Sequence, residues 1–359
     1  MSDNRRRLAA IRSALKQLCS TEPKGDRARH LLTLSMLISG IVGSKQVHLP
    51  QIASKVPTPT KVQSRVKRFS RFLANEKVDY EAYYLPYARQ LLANLAHQTL
   101  VLVMDGSPVG RKCRTLMLSV VYKKRALPIA WLVAEGSRGH FPEADHIALI
   151  KQVKDILPAD ASVMFLGDGE FDGVDLQRTL SSHGFDYVCR TAKDTILGRD
   201  GDTLTFEKLD VWPGTSIVVP DATVTRDGYG PVQAIAWWNE DEDEPLYLIS
   251  NLPLSEDPCD WYKLRFVIET LFSDQKSRGF HLHKSHISDP QRLAQLMMAA
   301  GLAYIWIVYL GYFARRHGYD QIIHRTDRCD LSLFQLGLRL LDYCLNQEID
   351  IPDNLSQLE

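Results

Sequence analysis

Apolar residues recur at helical spacing through the first hundred positions, and the period then changes. Leu8, Ile11, Leu15 and Leu18 predict one helix. His30 to Val42 is an apolar run of helical length, and Val62, Val66, Phe69 and Leu73 make a third stripe. From Thr99 the pattern is that of buried strands. TLVLVM (99–104) is continuously apolar and stops at Asp105. Residues 115–122 and 127–133 predict two more strands, and residues 143–157 a helix with Ile147, Ile150, Val153 and Ile156 on its apolar side. SVMFLG (162–167) is a second fully apolar strand and stops at Asp168. A short helix over 172–183 and a strand over 187–190 follow.

Residues 192–252 break this rhythm. Short β-like stretches at 203–206, 215–219, 232–238 and 246–250 alternate with Gly/Asp turns, and the acidic run Glu240–Glu244 predicts a hairpin tip. Residues 258–282 predict one helix. Leu293 to Phe313 is then uncharged over a length that could cross a membrane. It stands alone in the chain and has basic residues on both flanks, so a buried core helix is the expectation. Phe334, Leu338, Leu341 and Leu345 share a helical face suited to packing on its own domain or to joining two copies. The polar end, 347–359, predicts fraying.

Charge adds a division that hydropathy does not show. The whole chain carries 43 basic and 43 acidic side chains. Residues 1–98 hold 17 Lys/Arg against 6 Asp/Glu, a net of +11, and the remainder is −11. A basic helical module ahead of a carboxylate-rich one suggests nucleic-acid binding followed by chemistry. HLPQIASKVPTPT (48–60) predicts a short helix and a turn before the third helix, a helix-turn-helix-like pair. Lys61, Arg65 and Arg68 lie on one face of that helix, and they are the candidate DNA contacts. The six cysteines are scattered without a CxxC pair, which fits a reducing compartment and no zinc ribbon. The N-terminus lacks the apolar core of a signal peptide, so a cytoplasmic, nucleoid-associated protein is expected.

Two aspartates at the ends of buried runs would emerge at a sheet edge, where open α/β sheets bind ligands. Either alone could be a turn residue or a cap. The predicted helix over 258–282 adds the rest. At 100° per residue, Tyr262, Arg265, Glu269 and Lys276 fall within a face about 60° wide. Leu264, Val267, Ile268 and Leu271 take the opposite face.

The spacing Tyr262-x2-Arg265-x3-Glu269-x6-Lys276 resembles the YREK signature of bacterial insertion-sequence transposases of the insertion-sequence-four family. VLVMDGSPV and FLGDGEFDG are similar to that family's two aspartate motifs. The resemblance implies an α/β protein with an RNase H-like mixed-sheet catalytic core, which the order of predicted elements also fits. A β-strand insertion domain would interrupt that core, and a helical DNA-binding region would precede it. The expected divisions are 1–97 (DNA-binding), 98–191 and 256–320 (core), 192–255 (insertion) and 321–359 (C-terminal helices). It further implies that Asp105, Asp168 and Glu269 ligate two Mg²⁺ or Mn²⁺ ions. Arg265, Lys276 and Tyr262 would hold DNA phosphates. Trp237 or Trp238 of the insertion would stack on a flipped base, ahead of Trp212. The implied activity is cut-and-paste transposition on double-stranded DNA by a homodimer in a synaptic complex, with no membrane partner. An RNase H-like nuclease without strand transfer and a domesticated, non-catalytic DNA-binding protein are the alternatives. His140, His281, His283 and His286 lack zinc-ligand spacing and suit phosphate contact or plain surface.

Overall fold

A computed structural model describes residues 1–17, 22–137, 139–326 and 328–353. Leu18, Cys19 and residues 354–359 of the polar end lie outside them. Among the described residues six helices come first: α1 (Asp3–Gln17), α2 (Gly25–Ser44), α3 (Leu49–Ser54), α4 (Val62–Leu73), α5 (Tyr80–Tyr83) and α6 (Leu85–Leu95). In α2 every residue from Thr33 to Val42 is buried, as expected of a helix that is apolar on all sides. No separate helix is predicted over α5 and α6, although Ala88, Leu91, Leu92 and Leu95 of α6 recur at helical spacing and are buried. Asp79 caps α5 through the Ala82 amide, and Pro86 occupies the first turn of α6.

The strands are β1 (Leu100–Val109), β2 (Cys113–Tyr122), β3 (Arg125–Glu135), β4 (Val163–Gly167), β5 (Asp186–Thr191), β6 (Ile196–Arg199), β7 (Asp202–Thr205), β8 (Thr215–Val224), β9 (Tyr229–Trp238) and β10 (Leu246–Ser250). Helices α7 (Glu143–Lys154) and α8 (Val174–Ser182) lie between β3 and β5. All ten strands form one mixed sheet in the order β3-β2-β1-β4-β5-β10-β9-β8-β6-β7. β1 runs antiparallel to β2 and parallel to β4, and β4 runs parallel to β5. The strands after β5 are joined antiparallel, so residues 196–250 extend the same sheet through β10, which pairs with both β5 and β9. β6 has no counterpart among the predicted strands. It is only four residues long and carries a glycine, Gly198.

After the sheet come α9 (Pro258–Tyr262), a 3₁₀ turn (Lys263–Phe266), α10 (Val267–Gln275), a further 3₁₀ turn (Leu282–Lys284), α11 (Pro290–Arg316), α12 (Tyr319–Ile323) and α13 (Leu333–Asn346). The single helix predicted over 258–282 is therefore interrupted. Lys276 leaves helical geometry at φ −95° and ψ −85°, and the chain turns so that Phe280 packs edge-on against Phe334 at 5.5 Å. α11 is long and apolar enough to cross a membrane, and 94% of its most apolar window is buried inside the protein. α2, α4, β3 and α13 all pack against it. Phe334, Leu338, Leu341 and Leu345 of α13 are buried within the chain itself. The face that could have joined two copies is covered by α11, because an apolar stripe of this kind is stabilised wherever it first meets another.

Candidate active site

β1 and β4 pair through Val103 and Leu166. Two residues further along each lie Asp105 and Asp168, so that register sets the two carboxylates level where the strands part. Asp168 is the first residue past β4, as its sequence predicts. Asp105 is not past its strand but inside it, opposite Met117. β1 and β2 are a hairpin, so their pairing continues to Val109 after the pairing with β4 has ended. The chain at Gly139 crosses directly over this point. A Cβ on Gly106 would lie 1.9 Å from the Gly139 carbonyl oxygen, so only glycine fits beside Asp105.

The first turn of α10 brings Glu269 to the same edge. Arg265, in the 3₁₀ turn, is buried and lies between two of the carboxylates. Its guanidinium is 3.1 Å from Glu269 Oε1 and 3.7 Å from Asp168 Oδ2, and it stands 4.6 Å from the centre of the Phe266 ring. Lys276 donates from Nζ to Ser107 Oγ, two residues beyond Asp105. Tyr262 is buried too, and burial pushes its phenol up to about 12. The four residues expected on one solvent-facing stripe thus divide. Glu269 is exposed and Lys276 half-buried, while Tyr262 and Arg265 are turned inward toward the sheet.

Burial pushes the Asp105 carboxyl up to about 7; nearby Asp168 adds to this and Arg265 opposes it. Burial likewise lowers Lys276, against the pull of Asp105. A carboxyl that is protonated more readily in the folded than in the unfolded chain stabilises the fold at low pH. That contribution is lost as pH rises from about 4 to about 7. In chelator-containing buffer, Asp105→Asn should therefore melt increasingly above wild type between pH 5 and pH 8. A constant gap in thermal midpoint across that range would show that Asp105 is not held in this way.

Glu170 is a site residue that the sequence reading missed, although it lies within GDGEFDG. Its carboxylate receives the Phe141 amide, stands 2.8 Å from His140 Nδ1 and lies 3.4 Å from buried His146 Nε2. Burial alone would raise its pKa, but nearby His146 and the hydrogen bonds with the Phe141 amide and His140 hold it below the usual range. Its own amide donates to Asp168 Oδ1 at 3.0 Å. Glu170 thus ties the loop carrying Asp168 to the segment crossing Gly106. The sequence signal was available as three charged residues in seven, but nothing in it pointed to His140.

The donor set at this edge is carboxylate oxygen only, which suits hard cations such as Mg²⁺ or Mn²⁺. Among the described residues no three His, Cys, Asp or Glu side chains converge closely enough to hold an ion in their present positions. Arg265 provides positive charge between Asp168 and Glu269.

The other candidates lie elsewhere. Lys61, which caps the start of α4, and Arg68 within that helix are exposed, and Arg68 Nε also donates to Thr33 Oγ1 at 3.0 Å. Arg65 is half-buried. Its guanidinium caps the carbonyls of Ala53, Val56 and Thr60, so it clamps the α3–α4 turn and does not present a charge outward. Trp237 and Trp238 are half-buried on β9. Lys263 Nζ lies 5.5 Å from the Trp237 ring, and Trp238 Nε1 donates to the Glu242 carbonyl at 2.9 Å. Trp212 is far more open, at 67% exposure. His286 stacks edge-on with His48 at 4.9 Å, and His281 with His283 at 5.9 Å.

The family described as "Transposase DDE domain" matches residues 93–306, more than half of the chain, and the protein belongs to that family. No curated protein matches the chain. Among solved structures, the cryo-EM structure of a piggyBac transposase synaptic complex with hairpin DNA is similar at 11% identity and a TM-score of 0.47. The match covers 98% of this chain and 82% of that one.

Proposed function

We propose that this chain is a cut-and-paste DNA transposase of the insertion-sequence-four type, with Asp105, Asp168 and Glu269 as its catalytic carboxylates. The observation that carries the reading is their meeting at one sheet edge, with Arg265 between two of them and Lys276 beside Asp105. That edge belongs to an α/β core with antiparallel β1–β3 and parallel β4 and β5, consistent with an RNase H-like arrangement. The working divisions are 1–97 for DNA binding, 98–191 and 256–320 for the core, 192–255 for the insertion and 321–359 for the C-terminal helices.

Two Mg²⁺ or Mn²⁺ ions held by the three carboxylates would supply the charge that steadies the attacking and leaving oxygens of an in-line displacement. The protein's own groups do the remaining work. Arg265 exchanges its carboxylate partners for a DNA phosphate, to which its fork geometry is suited. Lys276, held at Ser107, offers a second cation next to Asp105. Tyr262 positions Arg265 from beneath; its ring lies 6.0 Å from the guanidinium carbon. Trp237 of the insertion meets the catalytic segment through Lys263, and it suits stacking on an unpaired base. Lys61 at the start of α4 and Arg68 within it contact duplex backbone. The acting species is a homodimer on paired transposon ends, in the cytoplasm.

The test is a strand-transfer assay with purified protein, precut cognate ends and Mn²⁺. Joined products are expected, and they should vanish with chelator. Cleavage without any joining would identify a nuclease of the same fold instead. Binding of ends with neither reaction would identify a non-catalytic relative.

A further inference from the structure

A second cationic site lies beyond the end of the catalytic helix. The β2–β3 hairpin closes through Lys123 and Lys124, because Tyr122 pairs with Arg125. Both lysines have positive φ, 44° and 66°. A two-residue hairpin of that kind favours Asn-Gly, and a side chain held in the left-handed region costs roughly 1–2 kcal/mol. Lys123 recovers some of this by placing its ammonium 3.9 Å from the centre of the Tyr312 ring. Lys124 is exposed and makes no hydrogen bond or ion pair with the described residues. Local folding therefore disfavours the lysine at 124, and backbone strain of this sort concentrates where a side chain is needed for binding.

The turn borders a cleft of about 540 Å³ lined by Lys123, Lys124, Arg125, Asp274, Arg278 and Arg315, together with the segment 329–335. Three different parts of the fold, the β2–β3 turn, the segment after α10 and the end of α11, thus bring cations to one space. Of these cations only Arg125 is paired with a carboxylate of the cleft, and Lys124, Arg278 and Arg315 make no ion pair with the described residues. Asp274 is buried and bound to Arg125 at 3.0 Å, and Asp330 on the rim is 2.6 Å from His324 Nε2. Arg278 is exposed and has no ion pair among the described residues. Asp274 belongs to α10, the helix that carries Glu269. The same helix therefore joins this cleft to the catalytic edge.

We infer that the cleft binds the phosphodiester backbone of DNA, at a place distinct from the phosphate that reacts. Cations spread over separate elements along an open cleft suit a linear polyanion and are worth about one released counterion per phosphate neutralised. This rests on the reading of the chain as a DNA transposase, and it adds where a second stretch of duplex is held.

The discriminating variant is Lys124→Gly with Arg278→Gln, measured in the full chain. Glycine relieves the left-handed strain, so the thermal midpoint should hold or rise. Affinity for a labelled duplex should fall, and the slope of log affinity against log salt should shrink by about 2. Lys124→Arg should keep wild-type affinity. An unchanged salt slope in the double variant, with wild type binding normally, would overturn the cleft alone. Wild type failing to bind any duplex at low salt would overturn the transposase reading with it. Inorganic phosphate is the second arm. Displacement of duplex no greater than that by sodium chloride at equal ionic strength supports a polynucleotide site. Displacement by phosphate that is lost in the double variant would make this a free-phosphate site and sink the proposal.

Discussion

Glu269→Gln should slow strand cleavage by roughly 10³-fold or more while leaving binding of transposon ends intact. The substitution keeps the size of the side chain and removes its charge. Glu269 is exposed on the first turn of α10, so the fold does not depend on it. Its partner Arg265 retains Asp168 at 3.7 Å. Asp105→Asn and Asp168→Asn should have losses of the same order. Combining any two should cost little more than one, because carboxylates that share a task do not act additively. A readout independent of turnover is thermal melting with Mn²⁺. The ion should raise the midpoint of wild type and do so less in each variant. Cleavage by purified Glu269→Gln at the wild-type rate would remove the residue from the site.

Gly337→Ala should destabilise the fold by roughly 3 kcal/mol, near the upper end of what overpacking costs. On an exposed helix the same change would stabilise by about 1 kcal/mol through propensity, so the sign is informative. At the α11–α13 crossing the new Cβ would lie 1.8 Å from the Ile307 carbonyl oxygen and 2.9 Å from the Gly311 amide nitrogen. Gly311 faces the same restriction, with the Leu333 carbonyl oxygen 1.8 Å from its would-be Cβ. These are main-chain atoms within or beside helices, and no rotamer change clears them. The thermal midpoint should fall by at least about 5 °C. A variant as stable as wild type would mean that the two helices do not approach so closely.

How much of this could be read from the sequence follows from which interactions are local. Periodicity located β4 and the long apolar helix to within a few residues, because each is apolar nearly throughout. It placed Asp168 correctly past its strand. It misplaced Asp105, since the extra length of β1 comes from pairing with β2, which no local pattern encodes. The helical wheel grouped Tyr262, Arg265, Glu269 and Lys276 correctly in sequence but assumed an unbroken helix. The 3₁₀ turn and the departure at Lys276 turn that stripe inward. Arg65 looked like a DNA contact because its spacing was right, yet its partners are carbonyls up to twelve residues back along the chain. Glu170 was missed for the same reason, because His140 and His146 reach it only through the fold.

The central position of α11 also bears on how the protein comes into being. α2 is synthesised early, but one of the helices it packs against begins at Pro290. Arg6, in the first helix of all, donates to the Leu345 carbonyl at 3.0 Å. At about 5–20 residues per second, α2 leaves the ribosome roughly 10–50 s before its neighbour exists. For that interval the apolar run Thr33–Val42 of α2, within a strongly basic segment, lacks the part of its cover that α11 supplies. Chaperone dependence should accordingly be greatest for nascent chains that stop short of α11, and premature termination should yield an aggregating fragment rather than a free DNA-binding module.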